Sequence, residues 1–538
     1  MRLAAALLVA CGATSPCRAA APRALGAARA DSIEGLPIRS VGVRTRTIFD
    51  PLPGGAFRPL YRLANSLHFK TRENVVRNQL LFAPGDPWSD ARARETERAL
   101  RALRFVEPNE INARRAGDSV DVVVETRDAW STTPELALRG GGGQVLVSVV
   151  LTEWNLLGMG KEVDASYDEE PTRIVRSAGY SDPNLFGSRF QASVSAGTQS
   201  DGAFRAANLR LPFYAEDTRH AGALGTERST SVAHLYQDGV DVANFDRRIE
   251  TVGAAVAHGA RTRLGILREE ASFFLLNRRF GPSRVAPEAV ATFRGGEENF
   301  RERRLAGEAR LWRPRYVVKR GVDHIDGTED LDLGSSVRIV GGWSPRALGA
   351  TQDAGYAAAN LSWGVTPDAN SFGWIRGAFS TLLAHGPRET ATSVGAFWAD
   401  QRLPRQTVVV SAEDFGESRG PRDLQAILGG LGGLRGYPVE ALAGEHALRL
   451  NVEDRVIVGR DILQVVSIGF AGFFDAGRTW GAGTSRSRWL EDIGAGLRLS
   501  LPRSSHKRVL RFDVAWPLAP TNDGRGGPVL SFGSDQAF

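Results

Sequence analysis

The sequence predicts a transmembrane antiparallel β-barrel of about 16 strands behind a small α+β domain ordered β-α-α-β-β. Three observations carry that prediction. After Trp130 helical spacing nearly disappears, and the chain becomes short segments of alternating apolar and polar residues separated by Gly, Asn, Asp and Pro turns. Residues 38–128 keep two stretches of helical spacing between strand-like pieces. The first residues read as an export signal.

Composition sets the outer bounds. The 538 residues include 24% charged side chains, and the mean hydropathy is −0.21. No stretch after the first residues approaches the roughly 20 apolar residues that a transmembrane helix needs, so a helical membrane protein is excluded. Arg2 is followed by Leu3–Ala13, an apolar run of signal-peptide length. Residues 1–30 are therefore taken as the signal peptide, with cleavage after Ala19 or at Ala28-Arg29-Ala30. Leu8-Val9-Ala10-Cys11 also resembles a lipobox, a lesser alternative. Both cysteines, Cys11 and Cys17, lie in this segment, so disulfides, thiolate metal sites and cysteine catalysis drop out with it. Its removal takes four arginines and no acids, and the net charge falls from +6 to +2. No later basic cluster is interleaved with aromatics, so nucleic acid is not an expected partner.

In the small domain, Ile38–Phe49 alternates as a strand does. Arg72–Leu81 has helical spacing at Val75, Val76, Leu80 and Leu81 and stops at the turn Pro84-Gly85-Asp86. Ser89 is placed to cap a second helix with Ala93, Thr96, Leu100 and Leu103 along one face. Phe105–Ala113 and Ser119–Thr126 follow as strands.

The barrel is expected over residues 134–538. Arg189–Gly197, Ile493–Leu501 and Val509–Leu518 alternate cleanly: in the second, Ile493, Ala495, Leu497 and Leu499 oppose Gly494, Gly496, Arg498 and Ser500. Alternation alone fits a soluble sandwich too. Export, polar residues available for a lumen and aromatics near strand ends favour a membrane barrel, where every backbone amide must find a strand partner. Dividing the 405 residues from Pro134 by 16 leaves about 25 per strand and loop. Segmentation by eye gives somewhat more strands, so Leu276–Arg303 and Tyr316–Asp330 are assigned to extended loops. The chain ends on Phe538, with Phe532 and Leu530 on the same face, an ending common in outer-membrane barrels.

Three motifs then fall in order. Leu428-Gly429-Gly430-Leu431-Gly432-Gly433-Leu434-Arg435-Gly436-Tyr437 resembles the inward-folded loop, with its V/L-R-G-F/Y tetrad, of the BamA/TamA (Omp85) superfamily of outer-membrane assembly and secretion proteins. Asn451-Val452-Glu453-Asp454-Arg455 and Gly472-Phe473-Phe474-Asp475-Ala476-Gly477 resemble the two strands that follow it in that superfamily. Residues 38–128 look like one POTRA domain. The resemblance implies an outer-membrane location with that domain in the periplasm. It also implies protein clients, either barrel proteins to be inserted or a polypeptide to be translocated, with lipids and accessory lipoproteins as further partners. Insertases of the central assembly machinery carry several POTRA domains, so a single one suits an accessory assembly factor or a dedicated transporter.

Strand parity agrees with the implied inward loop, taken as residues 422–442. Asp475 shares a face with Ser467, Gly469 and Ala471, away from Ile468, Phe470 and Phe474; Glu453 shares one with Asn451 and Arg455. Arg435, flanked by Gly436 and Tyr437, is expected to pair with Asp475, with Glu453 nearby, and so pin the loop in the lumen. The blander reading makes Arg435 a surface turn residue.

Other patterns are weaker. Gly416-Glu417-Ser418-Arg419-Gly420 matches a nucleophile elbow, but Pro421 follows where a helix is required, and no histidine spacing suggests a partner. Gly140–Gly143 lacks the context of a phosphate cradle. His68, His220 and His446 read as structural, and no metal or cofactor site is expected, nor an enzyme. The alternative to a protein-handling barrel is a porin-like channel for small molecules.

Overall fold

The computed structural model describes residues 33–141, 144–289, 293, 295–430, 433–484, 487–505, 509–520 and 527–534. The expected signal peptide, residues 142 and 143 of the glycine run, Leu431 and Gly432 of the loop, and the terminal Phe538 lie outside the described residues.

The N-terminal region is α+β: β1 (Ile38–Arg46), α1 (Arg58–Leu67), α2 (Glu73–Arg77), α3 (Asp90–Arg101), β2 (Val106–Ala116) and β3 (Ser119–Asp128). The strands order β1-β3-β2, with β1 parallel and β2 antiparallel to β3. Central β3 alternates in burial, and Val120, Val122 and Val124 pack with Val76, Leu80 and Leu100 in one core. Two details depart from the expected β-α-α-β-β order. Helix α1 is additional: its surroundings, Pro51, Pro53, Gly54, Gly55 and Pro59, read as loop, yet Pro59 falls in the first turn, where a missing N–H costs nothing. Ser89 takes the N-cap position of α3 without a side-chain cap bond, and Glu34 Oε2 accepts the Asp90 N–H instead at 3.0 Å.

The rest closes into an antiparallel barrel of 20 strands, not about 16. They are β4 (Thr132–Gly141), β5 (Gln144–Glu153), β6 (Glu162–Glu169), β7 (Ile174–Asp182), β8 (Gln191–Gln199), β9 (Gly202–Leu211), β10 (His220–Gln237), β11 (Val240–Thr262) and β12 (Gly265–Phe280). A two-residue piece, β13 (Arg284–Val285), pairs beside β11, and the wall continues at β14 (Glu298–Arg313). A separate hairpin of β15 (Tyr316–Lys319) and β16 (Glu329–Asp332) follows. The wall resumes with β17 (Ser335–Ser344), β18 (Ala354–Val365), β19 (Ser371–Leu383), β20 (Pro387–Asp400) and β21 (Gln406–Ser418). After a short off-wall pair, β22 (Ala426–Leu428) and β23 (Leu442–Gly444), it ends with β24 (His446–Ile462), β25 (Val466–Trp480), β26 (Leu490–Ser500), β27 (Val509–Pro517) and β28 (Val529–Ser534).

The count rises because many connections are tight: Gln199 to Gly202, Gln237 to Val240 and Thr262 to Gly265 leave two residues each between strands. Both ends of Leu276–Arg303, expected as a loop, are strand, while Tyr316–Asp330 does lie off the wall. Closure falls between β28 and β4, so the first wall strand begins at Thr132, close to the expected start at residue 134.

Outward residues of the wall are apolar and exposed, among them Val256, Ile339, Leu361, Trp363, Ile375, Val394, Phe470 and Phe512. Such a belt on a closed sheet is how a β-structure meets lipid without unpaired amides. Among the described residues no helix is long and apolar enough to cross a membrane.

The N-terminal region sits against the turns at the end where the chain enters the barrel. On α3, Arg92 meets Asp217 at 2.8 Å, Arg98 meets Glu216 at 3.1 Å and Arg101 meets Asp330 at 2.5 Å. The Trp130 N–H donates to the Arg503 carbonyl at 2.7 Å, and the Arg72 N–H to the Gly158 carbonyl at 2.9 Å. A Cβ at Gly158, where φ is +73°, would overlap the Lys70 carbonyl, so this approach requires glycine.

Candidate functional site

The chain leaves the wall after Ser418, at the mouth opposite the N-terminal region, folds inward and returns at His446. Glycines permit the fold. Gly429 has φ +140°, and a Cβ there would overlap the Pro438 carbonyl; a Cβ at Gly436 would lie 2.6 Å from Asp492 Cβ. Leu428, Leu434, Tyr437 and Leu442 then bury together against Ala447 and Leu490. The wall makes room for them: at Gly477 an added Cβ would lie 2.9 Å from Leu428 Cδ1. The Tyr437 hydroxyl donates to the Glu491 carbonyl at 2.9 Å and accepts the Ala519 N–H at 3.2 Å, fixing the loop to β26 and the end of β27.

Arg435 is thereby held in the lumen, 1% exposed. Its Nε and Nη2 donate to the two oxygens of Asp475 at 2.8 and 2.9 Å, the bidentate geometry that guanidinium and carboxylate share. Its Nη1 donates to Glu453 Oε2 at 2.7 Å and lies 3.7 Å from Asp513 Oδ2. The guanidinium stacks on the Phe473 ring, 3.3 Å from its centroid, and Phe473 occupies space that any Cβ at Gly494 would fill. Asn451 Nδ2 donates to Asp475 Oδ1 at 2.9 Å and to the Gly433 carbonyl at 3.0 Å, tying wall, carboxylate and loop. Burial disfavours the charged guanidinium, but the Asp475 hydrogen bond and charge, with Glu453 and Asp513, outweigh it and hold the Arg435 pKa above its ordinary value.

The structure thus brings together Arg435, Asp475 and Glu453, with Gly436 and Tyr437 seating the loop. It adds residues that sequence reasoning did not assign to the site. Arg455 Nε donates to Glu453 Oε1 at 2.9 Å, and Arg498 reaches Asp513 Oδ1 at 2.5 Å and Glu453 Oε1 at 3.4 Å. Arg511 lies 3.8 Å from Asp513. The available signal was parity: Arg498, Arg511 and Asp513 occupy the polar faces of strands whose other faces are apolar.

A second insertion comes from the opposite mouth. The β15–β16 hairpin and the segment between its strands pack against inward-facing residues: Ile325 touches Ile457 and Val509, and Ser467 Oγ donates to Asp326 Oδ1 at 2.9 Å. Glu329 accepts the backbone N–H groups of Val322 and Asp323 at 3.0 and 2.8 Å and so shapes the turn. The Val322 carbonyl accepts from Arg455. One chain of contacts therefore runs from Arg435 through Glu453 and Arg455 to the second loop, and on through Asp330 to Arg101 of α3.

Ser418 has a partner after all: its Oγ lies 2.8 Å from His446 Nε2 across paired strands. Ser418 ends β21, and the His446 ring stacks on Trp480 rather than on an orienting carboxylate, so the strand-turn-helix setting of a nucleophile elbow is missing. His68 lies 2.8 Å from buried Asp128, and the His220 and His258 rings lie 5.6 Å apart, tilted to one another.

No family model matches the sequence, and no curated protein matches it. Among solved structures the chain is similar to BamA from Haemophilus ducreyi lacking POTRA domains 1–3, at 11% identity and a TM-score of 0.41, covering 93% of this chain and 85% of that one. It is similar also to CdiB from Escherichia coli, at 13% identity and a TM-score of 0.45 over 93% and 76% of the two chains. For CdiB from Acinetobacter baumannii the values are 10%, 0.44, 93% and 73%. Likenesses at this level are of barrel architecture alone.

Proposed function

We propose that this protein is an outer-membrane barrel of the BamA/TamA type that inserts or translocates polypeptide clients, with its N-terminal region as a single periplasmic POTRA domain. One observation carries the reading: an L-R-G-Y loop enters the lumen from the mouth opposite that region and is pinned by Arg435 to Asp475 and Glu453 on successive strands. In a conduit or an insertase, such a loop is the occupant of the lumen that a passing client would displace.

Two further features support client handling. Strands β1 and β2 form the two edges of the three-stranded sheet, where an extended client can add by β-augmentation. Between β4 and β28, among the described residues, Leu138 faces Phe532 and Arg139 faces Ser531, whereas β4 and β5 pair along their whole length. Among the described residues this is the shortest pairing between neighbouring wall strands, and it is where a lateral seam for templating client strands is proposed.

Depletion followed by comparison of the outer-membrane and secreted proteomes tests the proposal. Loss of many barrel proteins identifies an assembly factor, loss of one exoprotein a dedicated pore, and loss of neither overturns protein handling. A porin-like channel is the second reading, favoured by the open side of the lumen, where a cavity of about 600 Å³ is lined by Gln191, Ser193, Asn208 and Arg210. Steady conductance in planar bilayers with an unchanged proteome selects it.

A further inference from the structure

Helix α1 carries an apolar face that no element of the described structure covers. Phe57, Leu60, Leu63 and Leu67 fall on one side at helical spacing and are 46%, 58%, 52% and 63% exposed. A neighbouring side holds the helix in place. Tyr61 packs on Phe49 with ring centroids 4.7 Å apart, Asn65 bonds both the N–H and the carbonyl of Phe49, and His68 meets Asp128. The apolar side is thus presented on a fixed helix.

Its position is set by one bond to the wall. The Tyr61 hydroxyl donates to the Leu463 carbonyl at 2.7 Å, in the turn between β24 and β25. Ile462, Leu463 and Val465 of that turn are themselves exposed, and they continue the outward rows Val452, Val456 and Val458 of β24 and Phe470 and Phe474 of β25. The helix therefore stands where the lipid-facing belt reaches the rim on the N-terminal side. Charge points the same way: from Pro51 to Arg72 there is no Asp or Glu, while Arg58, Arg62, Lys70 and Arg72 lie within the segment. An apolar helical face in an acid-free basic segment matches the boundary of acyl chains and anionic headgroups.

We propose that α1 is an interfacial helix, lying in the headgroup layer of the adjoining leaflet with Phe57, Leu60, Leu63 and Leu67 in lipid. The N-terminal region is then held to the bilayer as well as to the barrel turns. The inference rests on the barrel being embedded in a membrane, and the test separates the two.

In the full chain carrying Cys11→Ser and Cys17→Ser, an environment-sensitive thiol label is placed in turn at Leu63→Cys, Arg62→Cys and Val456→Cys. Each protein is reconstituted in phosphatidylethanolamine and phosphatidylglycerol vesicles containing spin-labelled quenching lipids. The Leu63 label is expected to emit further to the blue and to be quenched at least about twofold more than the Arg62 label, best by shallow quenchers. The Val456 label reports the belt and is expected to respond best to deep quenchers. Quenching at Val456 with none at Leu63 overturns the interfacial helix alone; no quenching at Val456 overturns the membrane barrel, and the helix with it. A Leu63 label that ignores lipid but shifts when an unfolded client is added, or self-quenches with rising protein concentration in detergent, also overturns the proposal and reassigns the face to a client or to a second copy. Leu67→Cys, one turn on, repeats the measurement should Leu63→Cys fail to assemble.

Discussion

Two sides of one barrel obey the same strand grammar and differ in what fills them. Along β24 to β27 the inward charges are sealed: Glu453, Asp475 and Asp513 are 0–2% exposed, because a loop from each mouth packs onto them. Along β8 and β9 the inward residues stay wet; Asn208 and Arg210 are exposed beside an open cavity, and Arg210 Nε donates to Gln191 Oε1 at 2.7 Å at the surface of that cavity. A lumen charge is thus not a structural category. Burial by an inserted loop turns a solvated carboxylate into one that needs a partner.

The sharpest way to break this contrast is Arg435→Ala, which leaves two buried carboxylates short of their cation and is expected to cost about 3–5 kcal/mol in barrel stability. The midpoint of heat-modified migration, or of urea unfolding in detergent, measures it. A loss under about 1 kcal/mol would put Arg435 with the solvated charges of the other side. Arg435→Lys keeps the charge but not the fork, and a loss of about 1.5–3 kcal/mol is expected.

Gly429→Ala comes next. It forces a Cβ into the Pro438 carbonyl at a positive φ, and loop docking should weaken by about 1–3 kcal/mol, read as faster proteolysis between β22 and β23.

A pH effect of smaller size is expected at Glu440, at the base of the same loop. Burial, with Asp241 and Glu170 adding to it against a hydrogen bond from Tyr236, pushes its carboxyl up to about 7. The folded state therefore holds its proton more tightly than the unfolded chain. That contribution is complete below the ordinary carboxylate range and is lost as pH rises through about 7. Amide protection around residues 437–442, corrected for the intrinsic rise of exchange with pH, should fall between about pH 5.5 and 8, and Glu440→Gln should flatten that fall.

The smallest effect belongs to the open side. Arg210→Ala should change stability by no more than about 1 kcal/mol, and a loss as large as that of Arg435→Ala would erase the distinction between the two sides.

Much of the packed side was legible because its signals are local. Parity along Val466–Trp480 is enough to send Asp475 inward, and the L-R-G-Y run marks the loop that meets it. Strand number was not legible, because closure is a property of the whole sheet while alternation is a property of each segment; a two-residue turn and a long loop leave the same pattern in the strands beside them. The hairpin of β15 and β16 was readable as lying off the wall, but nothing in Tyr316–Asp332 announces that it turns into the lumen. Arg498, Arg511 and Asp513 escaped for a related reason: parity gives the side a residue faces, and only the register of neighbouring strands gives its partner. Helix α1 hid behind prolines and glycines that punctuate its approach without breaking it.

The line of contacts from Arg435 through Glu453 and Arg455 to the Val322 carbonyl has a thermodynamic consequence. Glu453 serves loops from both mouths, so the free energy of seating either one depends on whether the other is seated. Linkage makes that dependence reciprocal. Any event on one face that frees Arg435 is then linked in equal measure to any event on the other that withdraws Val322, and among the described residues Glu453 is the carboxylate on that path between the two mouths.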